Sequence, residues 1–227
     1  MIRVTENLRV IRDLLAKACA DAGRPKSAVK LLAVSKNQPV SAILEAADAG
    51  QRDFGENFVQ EGLEKMENCA REDLVWHFIG HLQSNKTRAV AQHFQWVHTI
   101  DRLKIARRLS EQRPPHAPDL NVCIEVNIDE EAQKAGIAPG ETADLAREIA
   151  RLPRLKLRGL MCLPAIREGF EAQREPFAAL RRLYEALNGE GLRLDTLSMG
   201  MSADYAAAIH EGATIVRIGT ALFGARE

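Results

Sequence analysis

The sequence has no excess of charge of either sign: 31 basic residues balance 31 acidic ones across 227 positions. A basic surface for nucleic acid or for an anionic membrane is therefore not expected. No apolar run approaches the roughly 18 residues of a membrane span. The stretch Met1 to Asp13 mixes charged and apolar side chains and has no signal-peptide core. The four cysteines, Cys19, Cys69, Cys123 and Cys162, form no CxxC pair. Neither a disulfide framework nor a zinc site is indicated, and reduced, mostly buried thiols of a cytoplasmic protein are expected. There is no low-complexity tract. The proline-rich Arg113-Pro114-Pro115-His116-Ala117-Pro118 is too short to separate domains.

What is present is an alternation. Short apolar runs that read as strands lie at 31–36, 52–57, 76–81, 96–100, 120–127, 157–163, 196–200 and 214–218. Between them, segments with helical apolar spacing fall at 41–49, 58–69, 84–93, 101–112, 141–152, 171–187 and 203–211, after an opening helix at 5–22. In that opening helix Leu8, Ile11, Leu14, Leu15 and Ala18 form the apolar stripe, and Gly23 stops it. Ser84, Asp101 and Ser202 are placed as helix N-caps. Eight strands with intervening helices predict a parallel sheet closed into a single (β/α)8 TIM barrel over residues 1–227. An open doubly wound sheet is the rival, but no glycine-rich dinucleotide loop follows the first strand.

In such a barrel the site lies at the carboxyl ends of the strands. The first strand, Leu31-Leu32-Ala33-Val34-Ser35-Lys36, ends in a lysine on the same face as Leu32 and Val34. Such a lysine either begins a surface loop or, partly desolvated, is an amine able to attack a carbonyl. The remaining strand ends supply Asn57, His81, Thr99 with Asp101, Asn127, Met161, Ser198 with Ser202, and Arg217 with Gly219-Thr220. Alternation predicts that Asn57, His77 with His81, Glu125 with Asn127, Ser198 with Gly200, and Arg217 point into the barrel; a one-residue slip would reverse this. Gly200 and Ser202 after the seventh strand, with Gly219 and Thr220 after the eighth, can bring backbone N–H groups and hydroxyls to an anion. The alternative is that these glycines are tight turns and Ser202 only caps its helix. An amine, an anion cradle and an interior arginine suit a phosphorylated aldehyde, and pyridoxal 5′-phosphate fits. Lys36 would form the Schiff base, and Arg217, which can only donate, would keep the ring nitrogen unprotonated.

Several segments carry a family resemblance: Leu32 to Lys36, Phe54-Gly55-Glu56-Asn57, His77 to Lys86, Leu197 to Asp204, and Val216 to Gly224. The chain resembles, over essentially its whole length, the YggS/PROSC family of pyridoxal-phosphate homeostasis proteins. The resemblance implies a fold-type III barrel like the amino-terminal domain of alanine racemase, without the second β-domain. It implies the cofactor on Lys36, with Ser198, Ser202, Gly219 and Thr220 around the phosphate beside the Gly200 turn, Arg217 by the ring nitrogen, and Asn57 and Met161 lining the pocket. It further implies that the protein carries or buffers the cofactor, with apo-enzymes that use it as potential recipients.

The competing function is an amino-acid racemase, which needs acid–base groups on both faces of the substrate. Lys36 can serve one. In alanine racemases the other is a tyrosine carried by a second, β-rich domain of a partner subunit; here the sequence ends at Ala225-Arg226-Glu227, so that domain is expected to be absent, and Tyr184 and Tyr205 are the only tyrosines. Tyr184 falls in an apolar stripe and reads as packing; Tyr205 follows the anion cradle but suits burial equally well. A binding protein, monomeric and without a catalytic residue or metal, is therefore expected. A cofactor-free Schiff-base aldolase is a third reading, and it would be colourless. His77 and His81, roughly 13 Å apart on a strand, cannot share a metal. Lys134 lies in the loop after the fifth strand, where a solvated rim lysine is the plainer reading. Trp76 and Trp96 read as packing.

Overall fold

In a computed structural model, which describes residues 4–224, eight parallel strands close on themselves in sequence order. The strands are β1 (Lys30–Val34), β2 (Asp53–Glu56), β3 (Val75–Phe78), β4 (Trp96–Ile100), β5 (Leu120–Glu125), β6 (Leu155–Met161), β7 (Thr196–Ser198) and β8 (Ile215–Ile218). The helices are α1 (Val4–Asp21), α2 (Val40–Asp48), α3 (Val59–Cys69), α4 (Thr87–His93), α5 (Leu103–Gln112), α6 (Thr142–Ile149), α7 (Phe170–Gly189), α8 (Tyr205–His210) and α9 (Thr220–Phe223). Each of α2 to α8 joins two successive strands, and β8 returns to pair with β1 through Leu32 and Arg217. Helix α1 packs against α2, α8 and α9, across the closing seam.

Two apolar layers of unequal size hold this together. The larger lies between strands and helices, where Ala33, Phe54, Phe78, Val97, Val122, Ile124 and Val216 meet the inner faces of the helices. Burying each large apolar side chain there contributes about 1.5–3 kcal/mol. The smaller lies inside the barrel and consists of Leu32, Ile79, Trp96, Cys123, Met161 and Ile215. Val34 and Val75, partly buried, pack against it. Beside this cluster a column of polar side chains, among them His77, His98, Ser198 and Arg217, is buried in the interior and leads to the site. The four cysteines are all buried and unpaired. No helix among the described residues is long and apolar enough to cross a membrane.

The elements match the expected alternation, with differences at their ends. Strand β3 stops at Phe78 and β7 at Ser198. Alternation does not continue past a strand's end, so His81, Asn127 and Gly200 do not enter the barrel as parity predicted. His81 is exposed, 3.9 Å from Asp101. Asn127 closes its own loop, its amide bonding the Glu131 backbone on both sides. Gly200, at φ +94°, directs its side-chain position at Ala208 and Tyr205 of α8. The caps differ too. Helix α5 starts after Arg102, whose guanidinium takes the Asp101 carboxylate. Helix α8 starts after Asp204, whose carboxylate accepts from the Met201 N–H at 2.6 Å. Ser84 precedes α4 by a short 3₁₀ turn and makes no side-chain cap. In α1, Leu14 is exposed while Cys19 completes the buried stripe.

Gly159 shows how closely the strands approach. A Cβ there would lie 1.7 Å from the Thr196 carbonyl oxygen of β7, where no backbone can yield locally. Gly159→Ala should lower stability by roughly 3 kcal/mol in urea unfolding. Gly140→Ala, which meets nothing within 4 Å, should change it by less than about 1 kcal/mol.

Candidate functional site

Strand β1 ends one residue before Ser35, and the chain then turns sharply. The Gln38 N–H returns to the Ser35 carbonyl at 3.0 Å, and Asn37 adopts φ +59°, a left-handed conformation that asparagine tolerates. Lys36 sits at the centre of this turn, and helix α3 grips both of its flanks. The Lys65 ammonium, almost fully buried, donates to the Ser35 carbonyl at 2.5 Å, to Glu56 at 2.9 Å and to Glu61 at 2.6 Å. Glu61 in turn accepts from the Asn37 N–H, and the Ser35 hydroxyl donates to Glu56. Burial raises the Glu56 carboxyl above its usual range, against the bonds from Ser35 and Lys65.

Lys36 lines a cavity of about 460 Å³ at the carboxyl-terminal mouth, within the range of small-molecule sites. Asn57, Met161, Ser202, Arg217, Gly219 and Thr220 line it as well. Arg217 and Lys36 are the only ionisable side chains among the described residues of its wall. Arg217 is fully enclosed on its inner side: Nη1 donates to the Ser198 carbonyl at 2.6 Å and to the Ser198 hydroxyl at 2.8 Å, and Nη2 to the Cys162 carbonyl at 2.8 Å. A guanidinium has five N–H donors, so two remain for a ligand. The Gly219 Cα lies close against β1, where an added Cβ would come 3.2 Å from the Val34 carbonyl oxygen. From there α9 begins; its opening N–H groups, at Thr220 and Ala221, have no intrahelical acceptor. The Asn57 side-chain oxygen is buried with no hydrogen-bond donor among the described residues.

Ser198 and Gly200 are not part of the cavity wall. Ser198 lies behind Arg217, and the Gly200 carbonyl accepts the Arg217 N–H at 3.0 Å. His81 lines a neighbouring hollow together with Phe58 and Lys86. Lys134 pairs with Glu131 at 2.7 Å and Asp129 at 3.3 Å, away from the cavity. Thr99 faces outward and donates to the Gly80 carbonyl. Neither tyrosine reaches the cavity: Tyr184 donates to the Leu194 carbonyl, and Tyr205 lies in a groove between α1 and α8. No group of three or more His, Cys, Asp or Glu among the described residues is placed to hold a metal.

Sequence reasoning missed the residues behind the wall. Glu61 and Lys65 are four apart on a helix and look like a surface ion pair. His98 sits in Trp-Val-His-Thr-Ile, which looks like an ordinary buried strand. Its signal was strand parity, which places it with Trp96 on the face opposite Val97 and Thr99.

Residues 3–227 match the family described as alanine racemase, N-terminal domain. A Pseudomonas aeruginosa protein named pyridoxal phosphate homeostasis protein is 55% identical over all of this chain and 97% of its own length. The Escherichia coli K12 protein of the same name is 51% identical over 99% of this chain and 97% of its own. The structure of PipY from Synechococcus elongatus with PLP bound is 37% identical, with a TM-score of 0.81, over 92% of this chain and all of that one. The chain belongs to this family.

Glu125 ends β5 inside the barrel, 4% exposed; its backbone carbonyl accepts from the Ile137 N–H at 2.8 Å, while its carboxylate has no hydrogen bond or ion pair among the described residues. Burial, reinforced by Asp101, pushes its carboxyl from 4.5 up to about 7, against the attraction of Arg217. The folded state thus binds this proton more tightly than the unfolded chain does. Stability should fall as pH rises between those two values, by an amount on the order of 3 kcal/mol. Melting curves across that window should show the decline in the wild type and its loss in Glu125→Gln; parallel curves would contradict the assignment.

Proposed function

We propose that the cavity binds pyridoxal 5′-phosphate, that Lys36 holds its aldehyde as a Schiff base, and that the protein carries or buffers this cofactor without catalysing a reaction of its own. The observation that carries the reading is one cavity holding an amine, an arginine with two unused donors, and a small-residue turn at Gly219 and Thr220. The relatives named for pyridoxal phosphate homeostasis and PipY with PLP bound support it.

The residues fit the group by their chemistry. Ser202, Gly219 and Thr220 supply hydroxyls and backbone N–H groups for a phosphate. The orphaned Asn57 oxygen is an acceptor awaiting a donor. Met161 provides an apolar wall. Ser198 and Gly200 act through Arg217, holding its side chain and its N–H. When bound, the cofactor supplies an electrophilic aldehyde and an electron-withdrawing ring. Arg217 donates towards the ring nitrogen and keeps it unprotonated, which weakens that withdrawal.

The racemase reading finds less support. Proton exchange on both faces of a substrate carbon needs two acid–base groups at the cavity. Arginine does not give up its proton, which leaves Lys36 as the single base among the described wall residues. The cofactor is held in reserve, with apo-enzymes that use it as its recipients.

The purified protein should be yellow, and borohydride reduction should fix one adduct on the Lys36 peptide. Lys36→Ala should lose the colour and the adduct. An adduct confined to another lysine, such as Lys134, would contradict the assignment, and a colourless protein that traps a plain carbonyl substrate on Lys36 would favour the aldolase reading.

A further inference from the structure

A line of hydrogen bonds runs through the barrel from one mouth to the other. At the amino-terminal mouth, the half-exposed Lys30 donates to Asp53 Oδ1 at 2.9 Å. His77 Nε2 meets the same oxygen at 3.0 Å. His77 Nδ1 lies 2.9 Å from His98 Nε2, and His98 Nδ1 lies 2.8 Å from the Ser198 hydroxyl oxygen. Arg217 Nη1 then donates to that hydroxyl, at the floor of the cavity. The line crosses from β2 through β3 and β4 to β7 and β8, so its side chains all occupy the interior. Both histidines are fully buried, and Trp96 stacks on His77 with ring centroids 5.3 Å apart.

We infer that Asp53, His77, His98 and Ser198 form a hydrogen-bond chain with one fixed direction, and that they are positioning residues which aim the two unused Arg217 donors into the cavity. The ends of the chain dictate its sense. An ionised carboxylate only accepts, so His77 Nε2 donates to Asp53. His77 Nδ1 must then accept, and the proton between the rings belongs to His98 Nε2. His98 Nδ1 accepts in its turn, and the Ser198 hydroxyl donates its single proton there. Arginine only donates, so the Ser198 oxygen is left to receive Nη1, which is what the Arg217 geometry requires. Every bond has one donor and one acceptor, and both histidines are neutral Nε2–H tautomers.

The surroundings hold that state. Burial disfavours a charge on either ring, and for His98 the nearby Arg217 and Lys30 add to it, holding its pKa well below the usual histidine value. For His77, burial likewise outweighs the attraction of Asp53. Burial also works against the Asp53 charge, but the bonds from His77 and Lys30 together hold its carboxyl below the usual range. A second proton on the chain would place a cation beside Arg217 and leave the Ser198 hydroxyl proton without an acceptor, a costly loss in a closed interior.

The consequence for a ligand rests on the pyridoxal phosphate reading above. An arginine held on three sides meets a ring nitrogen without first being ordered, and a loosened one does not. Two measurements test this. In the ligand-free protein, two-bond ¹H–¹⁵N correlation spectra should show His77 and His98 as neutral Nε2–H rings at neutral and mildly acidic pH. A charged ring or an Nδ1–H tautomer at either position overturns the chain. The second compares pyridoxal 5′-phosphate with its carbocyclic counterpart, in which C–H replaces the ring nitrogen. The affinity ratio of the two should fall by about tenfold in His98→Leu, with the affinity for the carbocyclic aldehyde kept. Ser198→Ala, which removes one oxygen and little volume, should lower the ratio in the same direction and serves where His98→Leu does not fold. An unchanged ratio in the folded variant overturns the positioning role. Uptake of neither aldehyde by the wild type overturns the pyridoxal phosphate reading and the ligand role that rests on it, while the spectra still decide the direction of the chain.

Discussion

Arg217 enters the barrel as a permanent cation, and a closed interior cannot hold one without giving every inner donor an acceptor. The Ser198 and Cys162 carbonyls and the Ser198 hydroxyl provide three. Accepting from arginine commits the hydroxyl, which requires an acceptor beyond it, and the line of histidines follows down to Asp53 at the opposite mouth. The interior of this barrel is accordingly more polar than the apolar stack usual for the fold, with an apolar cluster of only six buried residues.

The second demand is on Lys36. A lysine on a loose loop samples many positions, and an amine that must meet one aldehyde carbon benefits from a fixed backbone. The turn is fixed from outside the barrel. Lys65 and Glu61, one helical turn apart on α3, take the carbonyl before Lys36 and the N–H after it. Removing one member of a buried charged group typically costs about 3–5 kcal/mol, because the others remain buried without it. Arginine is thus set from within and lysine from without, and the cavity is the space between them.

Much of the fold was legible because helices and buried strands carry different apolar periods, and eight such units imply closure. Lys36, Arg217, Gly219 and Thr220 were legible because barrels concentrate polar side chains at the carboxyl ends of their strands. Strand ends were not, since in a staggered barrel the partner strands decide where pairing stops; β7 keeps three residues. That displaced His81, Asn127 and Gly200 from the interior. Thr99 drew notice as a strand-end hydroxyl, while its neighbour His98, hidden in an apolar run, carries the interior bond. The α3 clamp was illegible for a different reason: nothing in the spacing of Glu61 and Lys65 distinguishes a pair gripping a backbone from one lying on the surface.

The proposed reading gives this site an aldehyde to hold and, in Lys36, one base to work with. The most direct test is α-proton exchange of alanine, serine and valine in D₂O, followed by NMR, with the yellow pyridoxal phosphate-loaded protein and Lys36→Ala as control. Exchange at the rate of the control would mean the cofactor is held without being used, as the single base predicts. Exchange in the wild type that disappears in Lys36→Ala would show Lys36 working as a base, and would contradict the account of a carrier.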